Sequence, residues 1–319
     1  MSIIERMAEL LGTTARPDRK SGPIEERASP AQDLIERAAG ATSERYPVSG
    51  NVEARPDAMR PAVGSTVKAG LARPTNKGTR TLKVDRDHLR RQSMITPDAE
   101  RTPIAENFRR IKRQILVNVA DPKSGAPANL VLVTSALAGE GKTFCAINLA
   151  ISIALEMDYS VLLVDADVAN PSIPKALGLE AEKGLMDLLL DRRMDLADVL
   201  CKTDIGKLTL LPSGGAHQHA TELLASGAMR ELLREMAERY HDRIIIFDSP
   251  PLLAASEAGV LASQMGQIVM VVEAGRTTEA TLKNALSRID SSKVAGLLLN
   301  KGQGPGLGYL YGGYGYGAG

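Results

Sequence analysis

The sequence predicts an α/β fold, a doubly wound parallel sheet with helices on both faces, flanked by a largely disordered N-terminal leader and a flexible Tyr/Gly-rich C-terminal tail. Three observations carry this expectation. Between residues 129 and 300 aliphatic runs alternate with helical stretches, the pattern of successive βαβ units with right-handed crossovers. The core has to be aliphatic, because aromatics are 3% of the chain and Trp is absent, which suits strands buried on both faces. Composition also shifts sharply at both ends. Residues 13–80 are rich in Pro, Gly, Ser, Arg and Glu with Tyr46 as their single aromatic, and 302–319 hold nine Gly and four Tyr.

Taken in order, the leader (1–80) buries too little apolar surface to offset its ordering entropy. Short helices are expected within it at 2–11, where Ile3, Ile4, Met7, Leu10 and Leu11 fall near one face, and at 30–39. The domain spans 81–301. Its first strong helix, 103–119, starts just after Thr102 and Pro103. Ile104, Phe108, Ile111 and Ile115 are spaced for one buried face, and Glu106, Arg109 and Lys112 lie along another. Strands are expected at 129–135, 160–167, 207–214, 243–251, 267–275 and 293–300. Helices are expected between them near 142–156, 184–200, 219–240 and 277–290. The tail, 302–319, keeps neither a strand nor a helix period.

The net charge of +1 gives no bulk reason to expect nucleic acid or a membrane surface. Residues 1–115 carry 22 Lys/Arg against 15 Asp/Glu, and the remainder 17 against 23, which reads as a solvated polar leader on an acidic domain. Two cysteines, Cys145 and Cys201, argue against a disulfide scaffold. The opening MSIIERMAELLG lacks the apolar core of a secretory signal, and no run reaches the roughly 20 apolar residues of a spanning helix. A cytoplasmic location is expected.

The chemistry concentrates in TSALAGEGKTFCAINLA, 134–150, which follows a hydrophobic strand and opens a helix, the context of a phosphate-binding P-loop. Gly141, Lys142 and Thr143 match the end of the motif; Ala136 stands where its first glycine would be, and Gly139 lies inside the loop. Glycines let successive N–H groups curl toward phosphates, which assigns Ala138, Gly139, Glu140, Gly141, Lys142, Thr143 and Phe144 to nucleotide binding. Lys142 would neutralise β/γ-phosphate charge, Thr143 would reach Mg²⁺, and the helix N-terminus favours an anion. Asp165 and Asp167 end one strand and Asp248 another. Ligands in open α/β sheets sit beyond strand carboxyl ends, so these carboxylates with Thr143 suggest a site for Mg²⁺ and ATP. Asn300, ending the last strand, is either an adenine contact or a strand-end turn. His217 and His219 sit in a polar loop without a third metal ligand.

GEGKT, LLVDADVANP and IIIFDSPP resemble the Walker A, A′ and B motifs of the bacterial tyrosine kinases of capsule and exopolysaccharide systems. Residues 80–319 share that resemblance, most closely to the branch associated with exosortase and exopolysaccharide loci. It implies a tyrosine autokinase of P-loop NTPase fold whose C-terminal cluster, Tyr309, Tyr311, Tyr314 and Tyr316, is phosphorylated in trans. It implies that Asp165 deprotonates or orients the acceptor while Asp167 and Asp248 serve the metal and its waters; the residues alone leave open which Asp does which. Glu106, Arg109 and Lys112 resemble the family's E-x-x-R-x-x-R oligomerisation motif, with Lys in the third place, which implies a homo-oligomeric ring. The implied partners are a membrane-embedded polysaccharide co-polymerase that activates the kinase and holds it at the inner membrane, and an opposing phosphotyrosine phosphatase; nucleic acid is not among them. A P-loop ATPase switch of the positioning or partition type is the alternative. Leu137 stands where those ATPases place a signature lysine, and only a kinase gives the tyrosines a purpose.

Overall fold

In the computed structural model, which describes residues 81–98, 102–122, 127–181, 183–240 and 242–302, the chain runs β1 (Thr81–Leu82), α1 (Arg86–Arg91), α2 (Pro103–Ala120), β2 (Leu130–Ser135), α3 (Lys142–Ala154), β3 (Ser160–Asp165), α4 (Ile173–Ala176), α5 (Leu185–Leu190), α6 (Leu196–Val199), β4 (Cys201–Thr203), β5 (Leu208–Leu211), α7 (Ala220–Leu224), α8 (Gly227–Arg239), β6 (Arg243–Asp248), α9 (Ser256–Gln264), β7 (Gln267–Glu273), α10 (Glu279–Leu286) and β8 (Val294–Asn300). The expected leader helices at 2–11 and 30–39, and the four tail tyrosines, lie outside the described residues.

The strands form one sheet in the order β1-β4-β5-β3-β6-β2-β7-β8. Alternation along each strand separates two cores. Val131, Val133, Val161, Leu163, Ile244, Ile246, Val269 and Val271 face one layer with Phe108, Ile115 and the buried run Cys145–Ala154. Leu130, Leu132, Leu162, Val164, Ile245, Phe247 and Ile268 face the other layer, against Met229, Leu233, Met236 and Leu261. This period of two, buried on both sides, is the doubly wound arrangement with helices on both faces, and it makes the central strands near-continuous aliphatic runs.

Several expectations are corrected. The sheet is not wholly parallel: β4, which the sequence pattern does not signal, runs antiparallel to β5, and two-residue β1 adds beyond it in parallel. The expected helix 184–200 is broken, because the Asp195 carboxylate caps a new helix by accepting from Ala197 N at 2.8 Å. The expected helix 219–240 splits at Ser226, whose hydroxyl accepts from Met229 N at 3.2 Å. Strand β6 stops at Asp248, two residues before the Pro250–Pro251 pair that cannot donate to a ladder. Helices α1, α4 and α9 add to the expected set.

Helix α2 begins as expected, with the Thr102 hydroxyl accepting from Ala105 N at 3.2 Å and Pro103 at its first position. Its cations divide. Arg109 pairs with Glu106 at 2.7 Å on the same helix near the surface. Lys112 instead turns into the protein: it is 7% exposed, donates to the Ser152 carbonyl at 2.9 Å and pairs with Glu156. Its ammonium therefore sits at the C-terminal end of α3, where carbonyls are unmatched and the helix end carries partial negative charge. Lys112→Ala should lower the unfolding free energy by about 1–3 kcal/mol, the cost of losing a buried charge-assisted hydrogen bond; a denaturation midpoint equal to that of the unaltered chain would show that this tie contributes nothing.

Candidate active site

The three central strands β3, β6 and β2 are neighbours, so their carboxyl ends deliver Asp165, Asp248 and the loop after Ser135 to one place. Asp165 and Asp248 are register partners across adjacent strands. The loop 136–141 turns from β2 into α3 through Gly139 (φ +83°) and Gly141 (φ +92°), a left-handed backbone that glycine adopts without strain. No side chain caps α3, which leaves its N-terminal end for an anion.

The expected residues converge. Lys142 Nζ lies 2.6 Å from Asp167 Oδ2, with the two side chains 13% and 2% exposed. Thr143 donates its hydroxyl proton to Asp248 Oδ2 at 2.6 Å. Asp165 Oδ2 accepts from the backbone N–H groups of Ser172 and Ile173, both at 3.0 Å, which fixes the loop carrying Asp167. Ser172, which has no motif to mark it, also donates to Thr143 Oγ1 at 3.2 Å. Phe144 packs against the core beneath the loop.

Two assigned residues also tie the loop to its surroundings. The Glu140 side chain is fully buried and braces the loop: its carboxylate accepts from Leu137 N at 2.7 Å and from the Thr277 hydroxyl. Asn300 Nδ2 donates to the Glu140 carbonyl at 2.8 Å, which ties the end of β8 to the loop. His217 and His219 have ring centroids 5.8 Å apart, in the loop after β5.

Each of the three carboxylates keeps one buried oxygen without a hydrogen-bond partner: Asp165 Oδ1, Asp167 Oδ1 and Asp248 Oδ1. Buried polar atoms are seldom left so. Among the described residues no three His, Cys, Asp or Glu side chains are grouped to enclose a metal ion themselves. That donor set fits Mg²⁺, which keeps several waters and takes one or two protein oxygens beside phosphate oxygens.

Burial is also the main force on the carboxyls. It pushes Asp248 up to about 7, against the pull of Lys142 and the Thr143 hydroxyl. It pushes Asp165 up to about 6, against the two backbone N–H groups and with Asp167 adding to the rise. Both groups therefore hold protons in the folded state that the unfolded chain has released above its ordinary carboxylate range. These two groups accordingly contribute less to stability as pH rises from about 4 to 7, because each binds more protons in the native state across that window. Without nucleotide, Asp248→Asn should unfold at a higher temperature than the unaltered chain near pH 8 and lose that advantage as pH falls to about 4; parallel melting curves at both pH values would refute the cost assigned to this charge.

Residues 129–294 match the AAA domain family. The chain is 31% identical over 222 residues to the tyrosine-protein kinase YwqD of Bacillus subtilis (strain 168), covering 69% of this chain and 90% of that protein. It is 34% identical over 219 residues to the succinoglycan biosynthesis transport protein ExoP of Rhizobium meliloti (strain 1021), covering 67% of this chain and 27% of that longer protein. Among solved structures, the crystal structure of the chimerical protein CapA2B2 aligns with a TM-score of 0.59 at 28% identity, over 67% of this chain and 91% of that one.

Proposed function

This chain belongs to the bacterial tyrosine-protein kinases, and on that footing we propose that it transfers the γ-phosphoryl group of ATP to Tyr309, Tyr311, Tyr314 and Tyr316 of a neighbouring copy. The observation that carries the reading is the meeting of Lys142, Thr143, Asp165, Asp167 and Asp248 at one set of strand ends. The 136–143 turn would hold the β- and γ-phosphates, with Lys142 exchanging Asp167 for phosphate oxygens. Thr143 and Asp248, with Asp167 through water, would hold Mg²⁺, which when bound neutralises charge on the phosphates.

A tyrosine hydroxyl has a pKa near 10 and is a weak nucleophile at neutral pH. Asp165 or Asp167 would accept its proton as the Tyr O–Pγ bond forms and the bond from Pγ to the β,γ-bridging oxygen breaks. A buried carboxyl raised to about 6 suits that exchange near neutral pH. A flexible Gly-rich segment of about 15 residues spans roughly 20 Å, enough to bring a tail to an adjacent subunit. The exposed Glu106–Arg109 pair on α2 is the surface for that ring assembly. Each phosphate adds nearly two negative charges, so a modified tail would leave an acidic neighbour.

The names of the relatives support a biological setting. One is named for succinoglycan biosynthesis and transport, which supports a role in exopolysaccharide or capsule export; there the kinase would act under a membrane-embedded co-polymerase and against a phosphotyrosine phosphatase. No helix among the described residues is long and apolar enough to cross a membrane; attachment to the inner membrane would come through that partner.

Lys142→Met should abolish tail phosphotyrosine. Mixed with a chain whose four tail tyrosines are changed to Phe, the Lys142→Met chain should become labelled by Mg-ATP, because one supplies the site and the other the acceptors. Labelling of the unaltered chain with none in the mixture would exclude transfer between copies; phosphate on serine or threonine alone would exclude the tyrosine reading.

A further inference from the structure

The phosphate loop is gripped from behind by the far side of the sheet. Lys301 Nζ donates to the Gly139 carbonyl at 2.7 Å, Asn300 Nδ2 to the Glu140 carbonyl at 2.8 Å, and Arg276 Nη1 to the Ala138 carbonyl at 3.4 Å. Glu273 collects both cations, 2.9 Å from Arg276 and 3.3 Å from Lys301. In a trans peptide the C=O of one residue and the N–H of the next point in opposite directions. Drawing the carbonyls of 138, 139 and 140 outward therefore turns the N–H groups of Gly139, Glu140 and Gly141 to the opposite side, into the cradle. The Asn300 amide also occupies the space beside Gly141: a Cβ there would fall 2.1 Å from Nδ2.

We infer that Asn300 and Lys301 are positioning residues for ATP, acting on its phosphates through the loop backbone rather than by touching the base. The inference rests on the nucleotide reading above and adds to it the residues that hold the loop in its binding shape. It also places part of that support in Lys301, next to the segment that carries the tyrosines.

The test is calorimetric titration of the full-length chain with Mg-ATP and, separately, with Mg-tripolyphosphate, which has no base. Asn300→Ala should weaken both ligands by a similar factor of about ten, and Lys301→Ala by about threefold, the range of one lost hydrogen bond. Lys301→Arg, which still donates to the Gly139 carbonyl, should recover most of the loss. In autophosphorylation the variants should raise KM for ATP more than they lower kcat. The inference is overturned if Asn300→Ala weakens ATP and leaves tripolyphosphate unchanged, since that marks a direct base contact. It is equally overturned if Lys301→Ala, which alters an exposed side chain outside the core, binds both ligands normally. An unaltered chain that binds neither ligand would overturn the nucleotide reading as well.

Discussion

Everything at the active end of the sheet depends on one balance of charge: three buried carboxylates facing the ammonium of Lys142. Burying a charge is costly unless it is paired, and Lys142 pairs directly with Asp167 while its charge also favours the ionised forms of Asp248 and Asp165. Asp165 is relieved further by backbone N–H groups and Asp248 by the Thr143 hydroxyl, and what remains is expressed as their raised affinity for protons. A site with surplus carboxylate oxygens and glycine-curled amides is complementary to a polyanion carrying a divalent cation, and to few other ligands.

The fold places those groups together through strand order. Asp165 and Asp248 are far apart in sequence, yet β3 and β6 are adjacent and in register, and β2 lies on the other side of β6. Parallel connections put the carboxyl ends of these strands on the same edge of the sheet, so an Asp at the end of each aliphatic run arrives beside the phosphate loop without any special contact to bring it there.

That is why so much of this site could be read from the sequence. The aliphatic runs, the loop spacing and the strand-end aspartates are local patterns, and each carries its physical meaning within a few residues. The features that escaped are those made by distant partners. In sequence Glu140 is one more residue of the nucleotide loop, and its buried bracing role appears only when Thr277, 137 positions away, meets it. Ser172 has no motif; it matters because its backbone holds Asp165 and its hydroxyl reaches Thr143. Strand β4 is three residues, CKT, too short to show alternation, and its reversed direction is set by pairing with β5. Lys112 sits at the spacing of an exposed helical cation, and only the approach of Ser152 and Glu156, at the end of α3, reveals it as buried.

Helix α3 joins two of these features. Its first residue is Lys142, and its last turn lies under the ammonium of Lys112. With a rise of 1.5 Å per residue it is a rod of about 20 Å, packed along nearly its whole length against the sheet. A displacement of α2 would thus act through Lys112 on one end of a stiff element whose opposite end carries Lys142. Any contact made on the outer face of α2 would in this way be mechanically continuous with the loop that opens α3.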